Sequence, residues 1–335
     1  MFTSRSQGPR FGRFTKVAAT LSVGALALVG CANDGDSNGN GGGDSTYSIG
    51  INQLVQHPAL DSATAGFQAA FEEAGVNVDW DVQNANGEQA TAQTISQQFA
   101  SANLDMVLAV ATPAAQATVQ SIQDVPVLFT AVTDPVSAEL VDSMEEPGAN
   151  VTGTSDAAPI EEQLDLLKEL VPDAERIGIV YASGEVNSQV QVDEAKEAAE
   201  PRGLEIVTQT VTNVTEIPQA VEAIGDVDAF YVPTDNMVVS GIASLVQAAE
   251  ASQTPVIAAE AGTVEGGAVA TLGIDYEALG RQTGEMALRI LEEGEDPATM
   301  AVETAAEFTY MVNEEAAERQ GVEIPEAILN EAETV

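Results

Sequence analysis

The sequence predicts an α/β protein with two similar lobes, each built on a parallel sheet with helices on both faces. Three observations lead to this prediction. Strand-like apolar runs alternate with helix-period stretches from residue 47 onward, a pattern typical of parallel sheets. The same order of elements begins again at Arg176. Both halves, of about 120 residues each, contain "IGI" in their first strand, at Ile49 and Ile177, which indicates two lobes.

The first half alternates strands and helices from residue 47 to residue 132. "YSIGINQ" is an apolar strand, and "HPALDSATAGFQAAFEEAG" has the period of a helix. "VNVDWDVQNA" and "GEQATAQTISQQFASAN" repeat this pair. "LDMVLAVATPAAQATVQSI" and "VPVLFTAV" then form a strand–helix–strand unit, whose strands begin near Asp105 and Pro126.

The second half follows the same plan from Arg176 onward. "RIGIVYAS", "NSQVQVDEAKEAAEPRG", "LEIVTQTV" and "EIPQAVEAIG" predict strand, helix, strand and helix. "VDAFYVPTDNMVVSGIASLVQAAEA" and "TPVIAAEA" close this half, with Asp228 and Pro255 in the places of Asp105 and Pro126. The later "EALGRQTGEMALRILEEG" is an amphipathic helix with a core-facing side.

The charge balance is strongly acidic. The chain has 53 acidic residues against 11 basic ones, and its single histidine is His57. Without residues 1–31, 7 basic residues remain and the net charge becomes −46. Because such a surface repels phosphates, nucleic acid and anionic lipid are excluded as partners. The even spread of acids predicts adaptation to high salt in a bacterium; the alternative is an ordinary acidic protein.

Residues 1–31 have the pattern of a lipoprotein signal peptide. A basic start is followed by an apolar stretch from Val17 to Val29, which is too short to span a membrane. The end, "LVGC", resembles the lipobox of bacterial lipoproteins, which implies cleavage before Cys31 and lipid on its sulfur. The alternative is a signal peptide with a chance cysteine. Residues 32–46, rich in Gly, Asn, Asp and Ser, predict a flexible tether on the outer face of the cell membrane.

Four loops are expected at a cleft between the lobes, because ligands of open parallel sheets bind beyond the carboxyl ends of the strands. These loops are "NQLVQHPALD", "ATPAAQ", "ASGEVNS" and "VPTDNM". In "ATPAAQ", Thr112 can cap a helix whose N–H groups at Ala114 and Ala115 suit a carboxylate.

The loop "VPTDNM" offers the opposite chemistry. Asp235 can pair with an ammonium group, and Asn236 can both donate and accept hydrogen bonds. Anion and cation sites on opposite lobes suit an α-amino acid. The alternative is that Thr234, Asp235 and Asn236 only cap the next helix.

Seven segments of the chain carry a family resemblance: "HPALDSATAGF", "ATPAAQ", "FTAVTDPVSAELV", "NVTGTSD", "GEVNS", "YVPTDNMVVS" and "GAVATLGIDYEALGRQTGEMALRIL". In this order they resemble the substrate-binding lipoproteins of one ABC-transporter family, which includes receptors for tryptophan and related amino acids. The resemblance covers residues 47 to 330. It implies a type I periplasmic-binding fold with a closing cleft, and delivery of the ligand to a permease with an ATPase.

The resemblance also implies the domain organisation and the ligand-binding residues. Lobe 1 is expected at 47–152 with about 276–303, and lobe 2 at 153–275 with about 304–335, joined by a hinge at "NVTGTSD" where Gly153 absorbs backbone rotation. The expected ligand-binding residues are His57, Pro58, Thr112, Ala114, Ala115, Thr133, Asp134, Asn187, Ser188, Thr234, Asp235, Asn236 and Glu260.

Several of these residues also have a purely structural interpretation. His57 either closes a strand or touches the ligand, and Asp134 in "VTDPV" either forms a turn or binds with Thr133. The loops contain no cluster of aromatic residues, so an aromatic ligand would rest on Tyr181, Tyr276 or aliphatic walls. The expected ligand is an aromatic or branched apolar amino acid; the alternative is another small polar metabolite.

Catalytic motifs are missing from the sequence. It contains no G-x-S-x-G, no P-loop and no His/Cys cluster for a catalytic metal, and its one cysteine is the expected lipid site. We therefore expect a monomeric binding protein without a cofactor, not an enzyme. The remaining alternative is a ligand-sensing receptor module with no transport role.

Overall fold

The computed structural model describes residues 46–305 and 307–335. The predicted signal peptide, Cys31 and residues 32–45 of the tether lie outside these residues. No helix in the described part of the chain is long and apolar enough to cross a membrane.

The first sheet is entirely parallel and has six strands. These are β1 (Thr46–Gln53), β2 (Asn77–Asn84), β3 (Met106–Val110), β4 (Val127–Val132), β5 (Val151–Ser155) and β11 (Glu303–Thr304). Their order across the sheet is β11-β5-β4-β3-β1-β2. The central strand β3 is apolar throughout because both faces of the sheet are covered.

The second sheet has seven strands and one antiparallel pair. The strands are β6 (Arg176–Ala182), β7 (Glu205–Val211), β8 (Ala229–Val232), β9 (Val256–Ala258), β10 (Ala270–Gly273), β12 (Thr309–Val312) and β13 (Glu333–Thr334). Their order is β13-β12-β10-β9-β8-β6-β7, and only β10 and β12 run antiparallel.

Helices cover both sheets. Those on the first sheet are α1 (Pro58–Ala74), α2 (Gln89–Ser101), α3 (Thr112–Ser121) and α10 (Tyr276–Leu288). Those of the second sheet are α4 (Ile160–Leu170), α5 (Val186–Ala199), α6 (Ile217–Ile224), α7 (Asn236–Ser240), α8 (Ile242–Ser252), α9 (Ala261–Glu265), α11 (Glu314–Gln320) and α12 (Glu326–Leu329). Below, lobe 1 and lobe 2 mean the first and second sheet with these helices.

Each sheet separates two apolar cores. In lobe 1, Ile49 and Ile51 pack with Phe67 of α1, while Val107 on the other face packs with Phe99 of α2. The two cores of lobe 2 are arranged in the same way around its sheet. The predicted two-lobe α/β fold is confirmed.

The chain passes between the lobes three times, after β5, after β10 and after β11. Because β5 pairs in the first sheet as far as Ser155, that sheet extends beyond residue 152; the predicted domain boundaries themselves stay a prediction. Gly153 lies inside β5, where a Cβ would overlap the carbonyl oxygen of Phe129. This glycine therefore allows β5 to approach β4 closely.

Glycines bring α1 and α10 into close contact. A Cβ on Gly66 would overlap the carbonyl oxygen of Glu277, and one on Gly280 would overlap that of Ala63. The two helices therefore pack backbone to backbone. Their first residues, Pro58 and Tyr276, lie at the side of lobe 1 that faces lobe 2.

Candidate ligand-binding cleft

A small cavity lies between the lobes. Lobe 1 contributes six lining residues, and lobe 2 contributes the other six. The residues are His57, Leu60, Ala131, Thr133, Asp156 and Tyr276 from lobe 1, and Asn187, Thr234, Asp235, Asn236, Val239 and Glu260 from lobe 2.

Helix starts surround this cavity because strands of a parallel sheet end on the same side and the next helices begin there. His57 precedes α1, Asp235 precedes α7 and Glu260 precedes α9. Asn187 lies in the first turn of α5, and Tyr276 is the first residue of α10. The polar residues after these strands thus come together from positions far apart in the chain.

Asp235 is a helix cap. Its Oδ1 accepts the N–H of Val238 at 2.8 Å, and its Oδ2 accepts the N–H of Ala182 at 2.5 Å and the hydroxyl of Ser188 at 2.7 Å. Burial raises the pKa of Asp235, and these hydrogen bonds oppose the rise. Asp235 therefore caps α7, and its expected pairing with an ammonium group stays a prediction.

Glu185 is a second carboxylate at the start of α7, and sequence reasoning missed it. Its Oε2 accepts from the backbone N–H and the side-chain amide of Asn236, at 3.1 and 2.6 Å, and from the amide of Asn187 at 3.1 Å. Its Oε1 accepts from the N–H of Met237 at 3.0 Å. Burial, followed by the charge of Asp235, raises the pKa of Glu185 to about 7. Glu185 thus orients two lining residues without lining the cavity.

Asp156 is the lining carboxylate whose side chain does not cap a helix. Sequence reasoning assigned its segment only to the hinge. Its Oδ1 accepts the hydroxyl of Thr133 at 3.0 Å, and its Oδ2 accepts the hydroxyl of Tyr276 at 2.8 Å. The residue is 4% exposed, and burial raises the pKa of its carboxyl group. Each oxygen keeps a lone pair for a further donor.

Glu260 is the third buried acid that lines the cavity. It accepts the N–H of Gly262 at 2.7 Å and the hydroxyl of Thr263, so it caps α9. Burial raises the pKa of its carboxyl group as well.

Two lining residues have buried polar atoms with no hydrogen-bond partner in the described part of the chain. They are both ring nitrogens of His57 and the Oδ1 of Asn187. Burial lowers the pKa of His57 to about 4, so its ring is neutral near pH 7. The Nδ2 of Asn187 donates to the carbonyl oxygen of Thr234 at 2.9 Å, which leaves only the Oδ1 free.

The lobes touch across the cavity. The hydroxyls of Thr133 in lobe 1 and Thr234 in lobe 2 lie 3.2 Å apart. Gln191 of α5 donates to both hydroxyls. At a second contact, a Cβ on Gly262 of α9 would lie 3.3 Å from the Cβ of Pro58 in α1. The lobes are therefore closed over the cavity.

The structure brings together seven of the thirteen expected ligand-binding residues: His57, Thr133, Asn187, Thr234, Asp235, Asn236 and Glu260. It does not bring the other six to the cavity, for four reasons given next.

Thr112, Ala114 and Ala115 are buried where α3 packs on its own lobe. Ser188 lies beneath the cavity, bound to Asp235. Asp134 caps its own turn through the N–H groups of residues 136 and 137.

Pro58 lines a neighbouring cavity together with the acidic side chains of Glu265, Asp275 and Glu277. In the described residues no group of three or more His, Cys, Asp or Glu side chains is placed to hold a metal ion.

Comparison with known proteins adds to this geometry. Residues 48–335 match the family model described as "ABC transporter substrate binding protein". The chain is 41% identical over 313 residues to a protein named "Tyrosine-binding protein" from Clostridioides difficile, covering 90% of each.

Two solved structures are similar to the chain along most of its length. An ABC domain from Streptococcus pneumonia in complex with L-Trp is 38% identical with a TM-score of 0.84, covering 87% of this chain and all of that one. The ligand-free, open structure of a substrate-binding protein with adhesive properties from Clostridium difficile is 44% identical with a TM-score of 0.67, covering 86% of this chain and 99% of that one.

The structure with the lower sequence identity has the higher TM-score. Overall shape is closer to the L-Trp complex at 38% identity than to the open structure at 44%. This agrees with the contact between Thr133 and Thr234 across the cavity. Solute-binding proteins at 15–17% identity, with TM-scores of 0.58–0.61, share the fold alone.

Proposed function

Because the chain belongs to the family of ABC transporter substrate-binding proteins, which are not enzymes, we propose that it captures an aromatic or branched apolar amino acid for import. The ligand is held between the lobes, and a permease with its ATPase takes it up. The buried carboxylate of Asp156 is the observation that carries this proposal.

Asp156 is suited to bind the ammonium group of the ligand. It lies in the cavity between the lobes with a lone pair free on each oxygen, and the unpaired Oδ1 of Asn187 offers a further acceptor. A buried carboxylate is costly unless a cation accompanies it. The ligand's ammonium would supply that cation.

The cationic side chains of residues 46–335 that the structure describes are engaged elsewhere. Among the described residues, five arginines and Lys196 form ion pairs outside the cavity, and Lys168 donates to the carbonyl oxygens of Pro172 and Ala174. The lining residues of the cavity include no lysine or arginine. A positive charge in the ligand therefore complements the acidic cavity.

The start of α1 supports a site for the ligand's carboxylate. This helix has 17 residues, and its first turn receives no hydrogen bond from the side chain of His57. Leu60 of that turn lines the cavity. Its N–H and the positive end of the helix favour an anion there. This position replaces the start of α3, which the sequence had suggested.

Titration calorimetry in high salt tests the role of Asp156. We expect Asp156→Asn to lose about 2–5 kcal/mol of binding free energy for the best-bound amino acid, because it deletes one partner of a buried charge pair. The variant should also bind that amino acid and its deamino analogue alike, whereas the wild type should strongly prefer the amino acid.

Glu260→Gln is the matched control, because it neutralises a buried acid of the same cavity that already caps α9. Its loss of affinity should be smaller, and it should still prefer the amino acid over the deamino analogue. An Asp156→Asn protein that kept this preference would contradict the assignment.

The anchor and the import role need tests in cells. We propose that lipid on Cys31 holds the protein on the outer face of the membrane, and Cys31→Ser should release it into the medium. Deletion of the gene should abolish uptake of the labelled amino acid. Unchanged uptake with an intact, ligand-binding protein would instead favour the sensing module.

A further inference from the structure

We propose that His57 selects ligands whose ring carries a hydrogen-bonding group, a phenol O–H or an indole N–H, over equally apolar ligands without one. This inference rests on the proposed function, since it assigns the side-chain end of the same amino-acid site.

The unpaired nitrogens of His57 are the observation behind it. Both are shielded from solvent, and neither has a hydrogen-bond partner among the described residues. A neutral imidazole offers one donor and one acceptor, and burial keeps this ring neutral by lowering its pKa to about 4. Buried polar atoms without partners are costly, so a ligand group that pairs with them gains affinity.

Asn236 meets at most half of this need. It lies beside the ring of His57, and its Nδ2 donates to Glu185 at 2.6 Å, so only its Oδ1 remains to accept from one ring nitrogen. Glu185 in turn is fixed by the N–H of Met237. A partner for the other ring nitrogen of His57 must therefore come from outside the protein.

The lining residues of the cavity form two chemically distinct sets. Thr133 links Asp156 to Thr234, and the carbonyl of Thr234 accepts from Asn187, so these four form a hydrogen-bonded acceptor end.

Apart from Leu60 at the start of α1, the other lining residues include His57, Ala131, Asn236, Val239 and the two acids Asp235 and Glu260, which already cap α7 and α9; we call this set the His57 end. In this set, apolar side chains occur together with the imidazole ring of His57, which lacks hydrogen-bond partners. If the ligand's ammonium group binds at the acceptor end, its side chain lies at the His57 end. An apolar ring with one polar group would match the apolar side chains and the imidazole there.

A ligand without the polar group would leave His57 unpaired. An unsatisfied buried group costs about 1–3 kcal/mol, and each 1.4 kcal/mol is a factor of ten in affinity. L-tyrosine should therefore bind about ten- to a hundredfold more tightly than L-phenylalanine. The two ligands differ only by the hydroxyl, so the ratio isolates this contact.

The experiment is calorimetric titration of the wild type, His57→Leu and His57→Gln with L-tyrosine, L-tryptophan, L-phenylalanine and L-leucine, in molar salt at neutral pH. In His57→Leu the preference for tyrosine over phenylalanine should vanish, mainly through weaker tyrosine binding. His57→Gln, which also carries a donor and an acceptor, should retain part of it. Thermal melts of each variant verify that it is folded.

Three outcomes would overturn the inference. If the wild type bound tyrosine and phenylalanine equally, the imidazole of His57 would not recognise the polar group of the ligand. An equal loss for both ligands in His57→Leu would assign His57 to the shared head group. Either result, with binding still dependent on Asp156, leaves the proposed function intact, whereas failure to bind any amino acid overturns both.

Discussion

Asp156 and Asp235 are both buried acids of one cavity, yet their partners assign them different tasks. Asp235 accepts three hydrogen bonds from its own lobe, two of them from backbone N–H groups. Asp156 accepts two hydroxyl groups, which can also act as acceptors. At the scale of single residues, the first therefore supports structure and the second is available for a ligand.

The substitution Asp235→Asn tests this division. Asn caps a helix about as well as Asp. However, the NH₂ group that replaces Oδ2 cannot accept a hydrogen bond, so the N–H of Ala182 loses its partner. We expect the variant to lose about 1–3 kcal/mol of stability in thermal or denaturant unfolding and to keep its affinity for the ligand. A large loss of affinity at unchanged stability would restore the ammonium role of Asp235.

The same variant should change the pH dependence of stability. The pKa of Glu185 is raised from 4.5 to about 7 by burial and then by the charge of Asp235. A raised pKa of a folded-state carboxyl group adds stability below pH 4.5 that is lost as the pH rises through about 7. The melting temperature of the wild type should fall across this window, and the fall should be smaller in Asp235→Asn. Equal slopes would mean that Asp235 does not influence Glu185.

At the scale of elements, the contact between α1 and α10 sets the geometry of the cleft on the side of lobe 1. These helices carry His57 and Tyr276 at their starts, and Tyr276 holds Asp156. Because the contact runs backbone to backbone at Gly66 and Gly280, it has little room to adjust.

The substitution Gly280→Ala should push the two helices apart. We expect a loss of stability of about 1–3 kcal/mol or more and weaker ligand binding, because overpacking displaces both helix starts. Gly184→Ala is the matched control: no atom lies within 4 Å of its added Cβ, and its stability should be unchanged. Equal melting temperatures for both variants would contradict the role given to this contact.

At the scale of the whole molecule, the main feature is a large excess of negative charge, which favours repulsion between parts of the chain. The chain beyond residue 31 carries 53 acidic and 7 basic residues. Raising the salt concentration from 10 mM to 1 M shortens the Debye length from about 30 Å to about 3 Å.

Thermal melts over this range should therefore show a midpoint that rises with salt, because screening relieves repulsion in the compact state more than in the unfolded chain. Ligand binding should be measured at the high-salt end, where the lobes are best stabilised. A midpoint that stayed constant would remove the salt-adaptation interpretation and leave the binding function untouched.

The sequence by itself determined the two-lobe α/β fold and three of the four loops expected at the cleft; "ATPAAQ" is instead buried in lobe 1. Alternating strands and helices, repeated from Arg176, carry that information because apolar periodicity and strand order are local properties. Residues of the segments "HPALD", "VPTDN" and "GEVNS" line the cavity, since each segment follows the carboxyl end of a parallel strand.

Only the tertiary structure decided what each polar residue does there. Tyr276 reaches Asp156 across 120 positions of sequence, and Ala182 reaches Asp235 across 53. Whether a buried carboxylate is already satisfied depends on such distant donors, which no local pattern encodes. Asp235, for which the sequence left a cap and an ammonium partner open, caps α7, whereas Asp156, in the segment predicted as a hinge, accepts only from two hydroxyl groups.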